Sequence, residues 1–292
     1  MNTRTLLALS ILAVPLTGCP ETQLSRLNFG STAIVTGDFD TISKLVQEAA
    51  VDTNVEATIA HIDGYIDGPR YESDPSVQPG QLATQVEDFL RGDAAEGLLS
   101  YETVFFSDGM RGCNEVVYNG VAEDNHLVLD QTVLANLDRA VRAGGARMWF
   151  SDWTYDLMEA TWPELVDWVG DDEEIDAAQR GIAPQTVNAT ITNPDLAAAL
   201  EVPEGSQLEL IFDFGAWAVA ESVDESVDVL LAADVEYDDP VTGERVVQED
   251  APLLLSAPIG QGIVLFTAFH NDAQISDETR DVLRFGLGQL SR

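Results

Sequence analysis

Residues 145–162 read GARMWFSDWTYDLMEATW. The largely apolar run from Ala146 to Phe150 has the length and character of a strand buried on both faces. The residues after Ser151 and Asp152 read as the start of a helix. A strand that passes straight into a helix makes a sharp turn, and such a turn can hold a nucleophile clear of the sheet. Ser151 is the residue this places in question.

Working outward, DQTVLANLDRAVRAGG (130–145) is the clearest helix in the chain. Asp130 can cap it, apolar residues recur at 133, 134, 137 and 141, and Gly144 can end it. YETVFFSDGMRG (101–112) before it is an apolar strand opening into a glycine loop. STAIVTG (31–37) reads as a first strand, DTISKLVQEA (40–49) as a helix capped by Asp40, and VEATIAHID (55–63) as a second strand. Residues 64–80 are loop by composition. Strand, helix and strand in repetition imply a parallel sheet covered by helices.

The second half reads differently. Strands are expected at 186–191, 207–214 and 227–237, with a short helix at 193–200 opened by Asn193 and Pro194. Residues 252–271 form a hairpin turning at Gly260-Gln261-Gly262, and a last helix starts near Ser276. Trp168 is placed on a helix face with Leu165. The expected fold is α/β: a mostly parallel, flavodoxin-like sheet flanked by helices, with a β-rich C-terminal addition, all in one domain over 31–292.

Residues 1–18 read as an export signal, with Arg4 as its positive end and Leu6–Leu16 as its apolar core. That run is too short for a stable membrane span. It closes on Leu16-Thr17-Gly18-Cys19, which resembles the lipobox of bacterial lipoproteins. The resemblance implies cleavage before Cys19, lipid on that residue, and residues 19–30 as lipidated cysteine and tether. Several acyl chains on one residue make a durable anchor. The expected location is the bacterial cell envelope, with the domain in the periplasm or at the cell surface. Pro20, standing where an inner-membrane retention aspartate would be sought, favours the outer membrane. With Cys19 consumed, Cys113 has no disulfide partner and is expected to be buried.

Charge narrows the partners. Fourteen basic residues, of which Lys44 is the one lysine, oppose 51 acids, for a net charge of −37. Such a surface excludes nucleic acid, whose phosphates need basic neutralisation. It also excludes a second electrostatic hold on anionic lipid. A solvated acidic surface is the plain reading, and a saline habitat would screen it. The runs DDEEID (171–176) and DVEYDD (234–239) could offer oxygen ligands to a divalent cation, but neither has EF-hand spacing. His61, His126 and His270 lack any metal-ligand spacing, so neither a metal site nor a cofactor is expected.

The succession YETVFFSDG, VLANLDRAVRAGG, ARMWFS and GQGIVLFTAFHND resembles the class I glutamine amidotransferase-like superfamily, and within it the trehalose-utilisation (ThuA-like) branch. The resemblance implies a nucleophile elbow after the GG-terminated helix, which counting forward from Gly144-Gly145 puts at Ser151. It implies a catalytic histidine at His270, in the triplet His270-Asn271-Asp272, and oxyanion-hole amides at Gly109 and Gly112. Two departures stand out. The elbow lacks the cysteine a glutaminase needs, and Phe150, Asp152, Trp153 and Thr154 crowd a turn that small residues normally flank.

Ser151, His270 and Asp272 are therefore the candidate catalytic set, with Cys113 and His270 as a second arrangement. Ligands of open parallel sheets bind at the carboxyl ends of the strands. The residues expected there are Asp38, Asp108, Arg111, Asp152, Trp153, Tyr155, Asn271 and Gln274, beside His270. Trp153 and the acids suit a carbohydrate or another small polar ligand. The functional expectation is an envelope lipoprotein whose domain binds such a ligand, or a protein partner, without catalysis. The alternatives are a serine hydrolase using Ser151 and His270, and a purely structural envelope protein.

Overall fold

The structure is a computed structural model that describes residues 27–291, apart from 28, 41, 53–58, 67–76, 78–81, 83, 93–95, 114–115, 119–120, 171–177, 213–216, 240 and 271–275. The expected signal, Cys19, the run 171–176, and Asn271, Asp272 and Gln274 lie outside the described residues. The first half runs β1 (Thr32–Val35), α1 (Ile42–Asp52), β2 (Ile59–Ile62), α2 (Val86–Arg91), β3 (Thr103–Phe106), the small hairpin β4 (Val116–Tyr118) and β5 (Val121–Glu123), then α3 (Gln131–Arg142). There follow β6 (Arg147–Ser151), α4 (Tyr155–Thr161), β7 (Val166–Trp168), β8 (Gln185–Ile191) and α5 (Pro194–Ala199). The chain ends with β9 (Gln207–Phe212), β10 (Ala220–Val223), β11 (Asp228–Asp238), β12 (Arg245–Ile259), β13 (Gly262–Thr267) and α6 (Asp277–Gln289).

Nine of the strands form one sheet in the order β2-β1-β3-β6-β13-β12-β11-β8-β9. β2, β1, β3, β6 and β13 are parallel neighbours, and from β13 outward every pairing is antiparallel. The fold class is thus α/β with a β-rich extension. β6 is buried along its whole length because both faces are covered. On one face Trp149 lies beneath α6, where Gly286 brings the helix backbone so close that a Cβ would sit 2.9 Å from the indole. On the other, Phe150 stacks on Phe106 at 4.7 Å and meets the edge of Trp162 at 6.2 Å. The Trp162 indole N–H donates to Asp138 at 3.0 Å, tying the end of α4 to α3.

Helix ends follow their capping residues. Asp130 accepts from Thr132 N at the start of α3, Asn193 accepts from Asp195 N and Leu196 N before Pro194, and Ser276 accepts from Thr279 N at α6. The β12–β13 hairpin turns at Gly260 and Gln261, and Gly260 takes a φ of 59°. Trp168 is corrected from helix to strand. It lies on β7, paired with β10, and its ring meets Tyr155 at 4.7 Å and Phe266 at 4.9 Å. Apolar residues three apart suit either element when the run is short. Cys113 forms no disulfide among the described residues and is buried in the core, as expected.

β1 and β3 are neighbours, while the chain after β1 first goes outward to β2, so the strand order reverses between β1 and β3. The loops at their carboxyl ends are joined backbone to backbone. Asp38 N donates to Gly109 O and Phe39 N to Asp108 O, each at 3.2 Å. Gly37 makes that approach feasible, since a Cβ there would lie 2.0 Å from the Asp108 carbonyl oxygen. Gly37→Ala is expected to destabilise the protein by about 1–3 kcal/mol through this overpacking. A urea midpoint equal to that of the wild type would show that the two loops are not held as described.

Candidate functional site

Three adjacent parallel strands deliver three ionisable side chains to one point. Asp108 follows β3, Asp152 follows β6 and His270 follows β13, all at carboxyl ends. His270 Nε2 lies 2.9 Å from Asp108 Oδ2 and 3.1 Å from Asp152 Oδ2. The three residues are 1%, 0% and 4% exposed for Asp108, Asp152 and His270 respectively. One imidazole N–H therefore faces two buried carboxylates.

The second oxygen of each carboxylate is held by backbone amides. Asp108 Oδ1 accepts from Gly109 N at 2.7 Å and from Trp153 N at 3.3 Å. Asp152 Oδ1 accepts from Ala218 N at 3.0 Å. Ala218 belongs to the β-rich extension, where it bridges to Arg180, and the Arg180 guanidinium lies 5.3 Å above the Trp153 ring. The extension thus closes over the site that the parallel half builds. No sequence signal marks a backbone amide such as that of Ala218 as part of a site.

The strand-to-helix turn has its left-handed residue at Asp152, with φ 45°. That residue stands one position beyond Ser151. Ser151 is the last residue of β6, wholly buried and paired with Thr267. Thr154 Oγ1 closes the turn by accepting from Ser151 N at 2.8 Å and donating to Ser151 O at 2.9 Å. Aspartate tolerates the left-handed region better than most side chains. His270 is directed at two aspartates, and these two contacts define the site.

The other expected site residues divide. Trp153 is 9% exposed, with Arg180 over its ring and Tyr155 beside it at 5.6 Å. Tyr155 is a core residue whose hydroxyl accepts from Ala178 N at 3.2 Å, and burial and the Asp156 charge push its acidity down, raising its pKa. Arg111 is drawn away into a clamp: it donates to Glu87 Oε1 at 2.8 Å, to Tyr65 O at 2.7 Å and to Gln85. Although burial opposes it, the Arg111 hydrogen bond holds Glu87 below the usual carboxylate range. Asp38 is spent on Ile66 N at 2.7 Å. The Gly112 carbonyl accepts from Leu127 N, and Leu127 packs where a Cβ would project. The run 234–239 serves the β11–β12 hairpin, where Asp239 accepts from Val241 N and Thr242 N and Arg245 meets Glu236 and Asp238.

Burial and then the charge of Asp108 push the Asp152 carboxyl up to about 7, against the lowering hydrogen bond of His270. Burial would lower His270, but hydrogen bonds to Asp108 and Asp152, with their charges, hold it well above the usual imidazole range. Both folded values lie above the unfolded ones. Each group's contribution is therefore complete below its unfolded value and is lost as pH rises through its folded value. For Asp152 that window is about pH 4 to 7. Thermal unfolding followed from pH 5 to pH 8 should show a falling midpoint, and Asp152→Asn should flatten the part below pH 7. A wild-type midpoint that rises across this range would refute the assignment.

No known family profile matches the chain, and no curated protein matches it in sequence. Solved structures resemble it in architecture at low identity. They include the structure of PurLQS from Thermotoga maritima, 11% identical over 89% of this chain and 99% of that one, with a TM-score of 0.47. A putative ThuA-like protein from Bacteroides uniformis is 10% identical over 90% of this chain and 92% of its own, with a TM-score of 0.49. The glutaminase domain of Trypanosoma brucei CTPS, solved with acivicin bound, is 10% identical over 90% and 95%, with a TM-score of 0.44.

Proposed function

We propose that this protein is a lipid-anchored protein of the bacterial cell envelope whose amidotransferase-like α/β domain binds a small polar ligand at the strand-end site and does not hydrolyse it. One observation carries the reading. The amides of Gly109 and Trp153, the pair that could stabilise an acyl oxyanion, both donate to the carboxylate of Asp108. The residue at the left-handed turn is Asp152, wholly buried and carrying neither thiol nor hydroxyl.

Burying two carboxylates and an imidazole costs folding free energy, which argues against a purely structural role. Ionisable groups perturbed by burial and by a specific charge partner are a physical mark of a candidate functional site. Arg180 over the Trp153 ring leaves that aromatic face less available for sugar stacking, so a compact polar ligand is preferred to a carbohydrate. Attachment through lipid on Cys19 follows from the sequence at 6–19.

A fluorophosphonate serine probe is expected to leave the purified chain unlabelled, and glutamine to release no ammonia above the buffer rate. Labelling that disappears in both Ser151→Ala and His270→Ala would overturn the binding reading in favour of a hydrolase. In cells, a metabolic fatty-acid label should enter the wild type and be absent from Cys19→Ser; label retained in that variant would remove the anchor.

A further inference from the structure

We propose that Asp108 Oδ2, Asp152 Oδ2 and His270 Nε2 form a three-ligand site for a divalent transition-metal ion such as Zn²⁺ or Co²⁺. The inference rests on the reading that this site binds rather than hydrolyses, and it names the ligand.

Geometry comes first. The histidine nitrogen lies 2.9 and 3.1 Å from the two carboxylate oxygens, and no two of the three atoms are more than 4.8 Å apart. Ligand atoms at about 2.1 Å from a common ion sit about 3.0–3.4 Å from each other. The histidine nitrogen thus already stands within a few tenths of an ångström of that spacing from each carboxylate oxygen, and the two oxygens lie within 4.8 Å of each other. Each carboxylate presents one oxygen to that point while backbone amides hold the other, through Gly109 and Trp153 for Asp108 and Ala218 for Asp152. Metal-binding carboxylates are oriented by outer partners in this way.

Charge gives a second, independent reason. Two carboxylates and a neutral imidazole sum to two negative charges, which one divalent ion cancels. On binding, the ion replaces the protons held on His270 Nε2 and between the carboxylates, and these leave to solvent, so charge and atoms balance. The mixed nitrogen and oxygen set suits first-row transition ions, whereas Mg²⁺ and Ca²⁺ prefer oxygen alone.

Acidic proteins collect cations loosely, so the test must locate the ion. The competing home is a surface cleft of about 460 Å³ lined by Glu159, Glu164, Asp167 and Asp224. Stripped with a chelator and titrated with Co²⁺ at physiological salt, the purified chain should take one tight equivalent. Cu²⁺ in its place should give an electron-spin spectrum coupled to a single imidazole nitrogen, a readout on the wild type that no folding defect can obscure. Asp152→Asn and His270→Gln should each weaken Co²⁺ by at least about 100-fold, the upper end of what loss of an outer partner costs. Asp167→Asn should leave it unchanged. No tight equivalent, no nitrogen coupling, or equal affinity in folded Asp152→Asn and His270→Gln proteins would overturn the metal site. If that happens while the serine probe stays silent, only the metal assignment falls; probe labelling would remove the reading beneath it.

Discussion

Two carboxylates and one imidazole meet inside this protein, and the repulsion between Asp108 and Asp152 must be answered before anything around them can pack. His270 answers it from the end of the neighbouring strand, and backbone amides answer the remaining oxygens. Removing one member leaves the others as buried, uncompensated charge, which is far more damaging than never having had them. The loop after β3, the turn after β6 and the segment after β13 are for this reason a single electrostatic unit. Gly37 and the paired loops after β1 and β3 keep Asp108 in range of that unit.

The β-rich extension belongs to the same unit. β12 joins the parallel half through β13, and Ala218, just ahead of β10, donates its N–H to Asp152. Trp217 beside it is stacked on Phe212 at 4.1 Å and occupies the space above Gly181, where any side chain would collide with the indole. Packing in the extension thereby fixes the position of an amide in the site. The strands added beyond β13 are thus tied to the carboxyl ends of the parallel strands.

How far the sequence foretold this depends on range. Asp130, Asn193 with Pro194, and Ser276 act on amides two or three residues away, so the helices they open could be read directly. Buried strands such as β3 and β6 declared themselves by continuous apolar runs. The pattern gave no sign of α2 or of the β4–β5 hairpin, whose few residues hold too little periodicity. At the site, Asp108, Asp152, Trp153 and His270 were picked out as strand-end residues, but their partners were not. The left-handed turn falls one residue beyond Ser151 because backbone torsion leaves no trace in the residue names. Arg111 and Tyr155 sit at plausible positions in the chain and yet face elsewhere, drawn off by Glu87 and by the core.

The carboxylate of Asp108 in the grip of two amides also has a bearing on protein engineering. Its oxygen fills a receptor that the backbone itself builds, so shortening that one side chain to glycine would vacate the receptor while keeping both donors. A cysteine placed at 152 would then stand at a left-handed turn with the imidazole of His270 beside it.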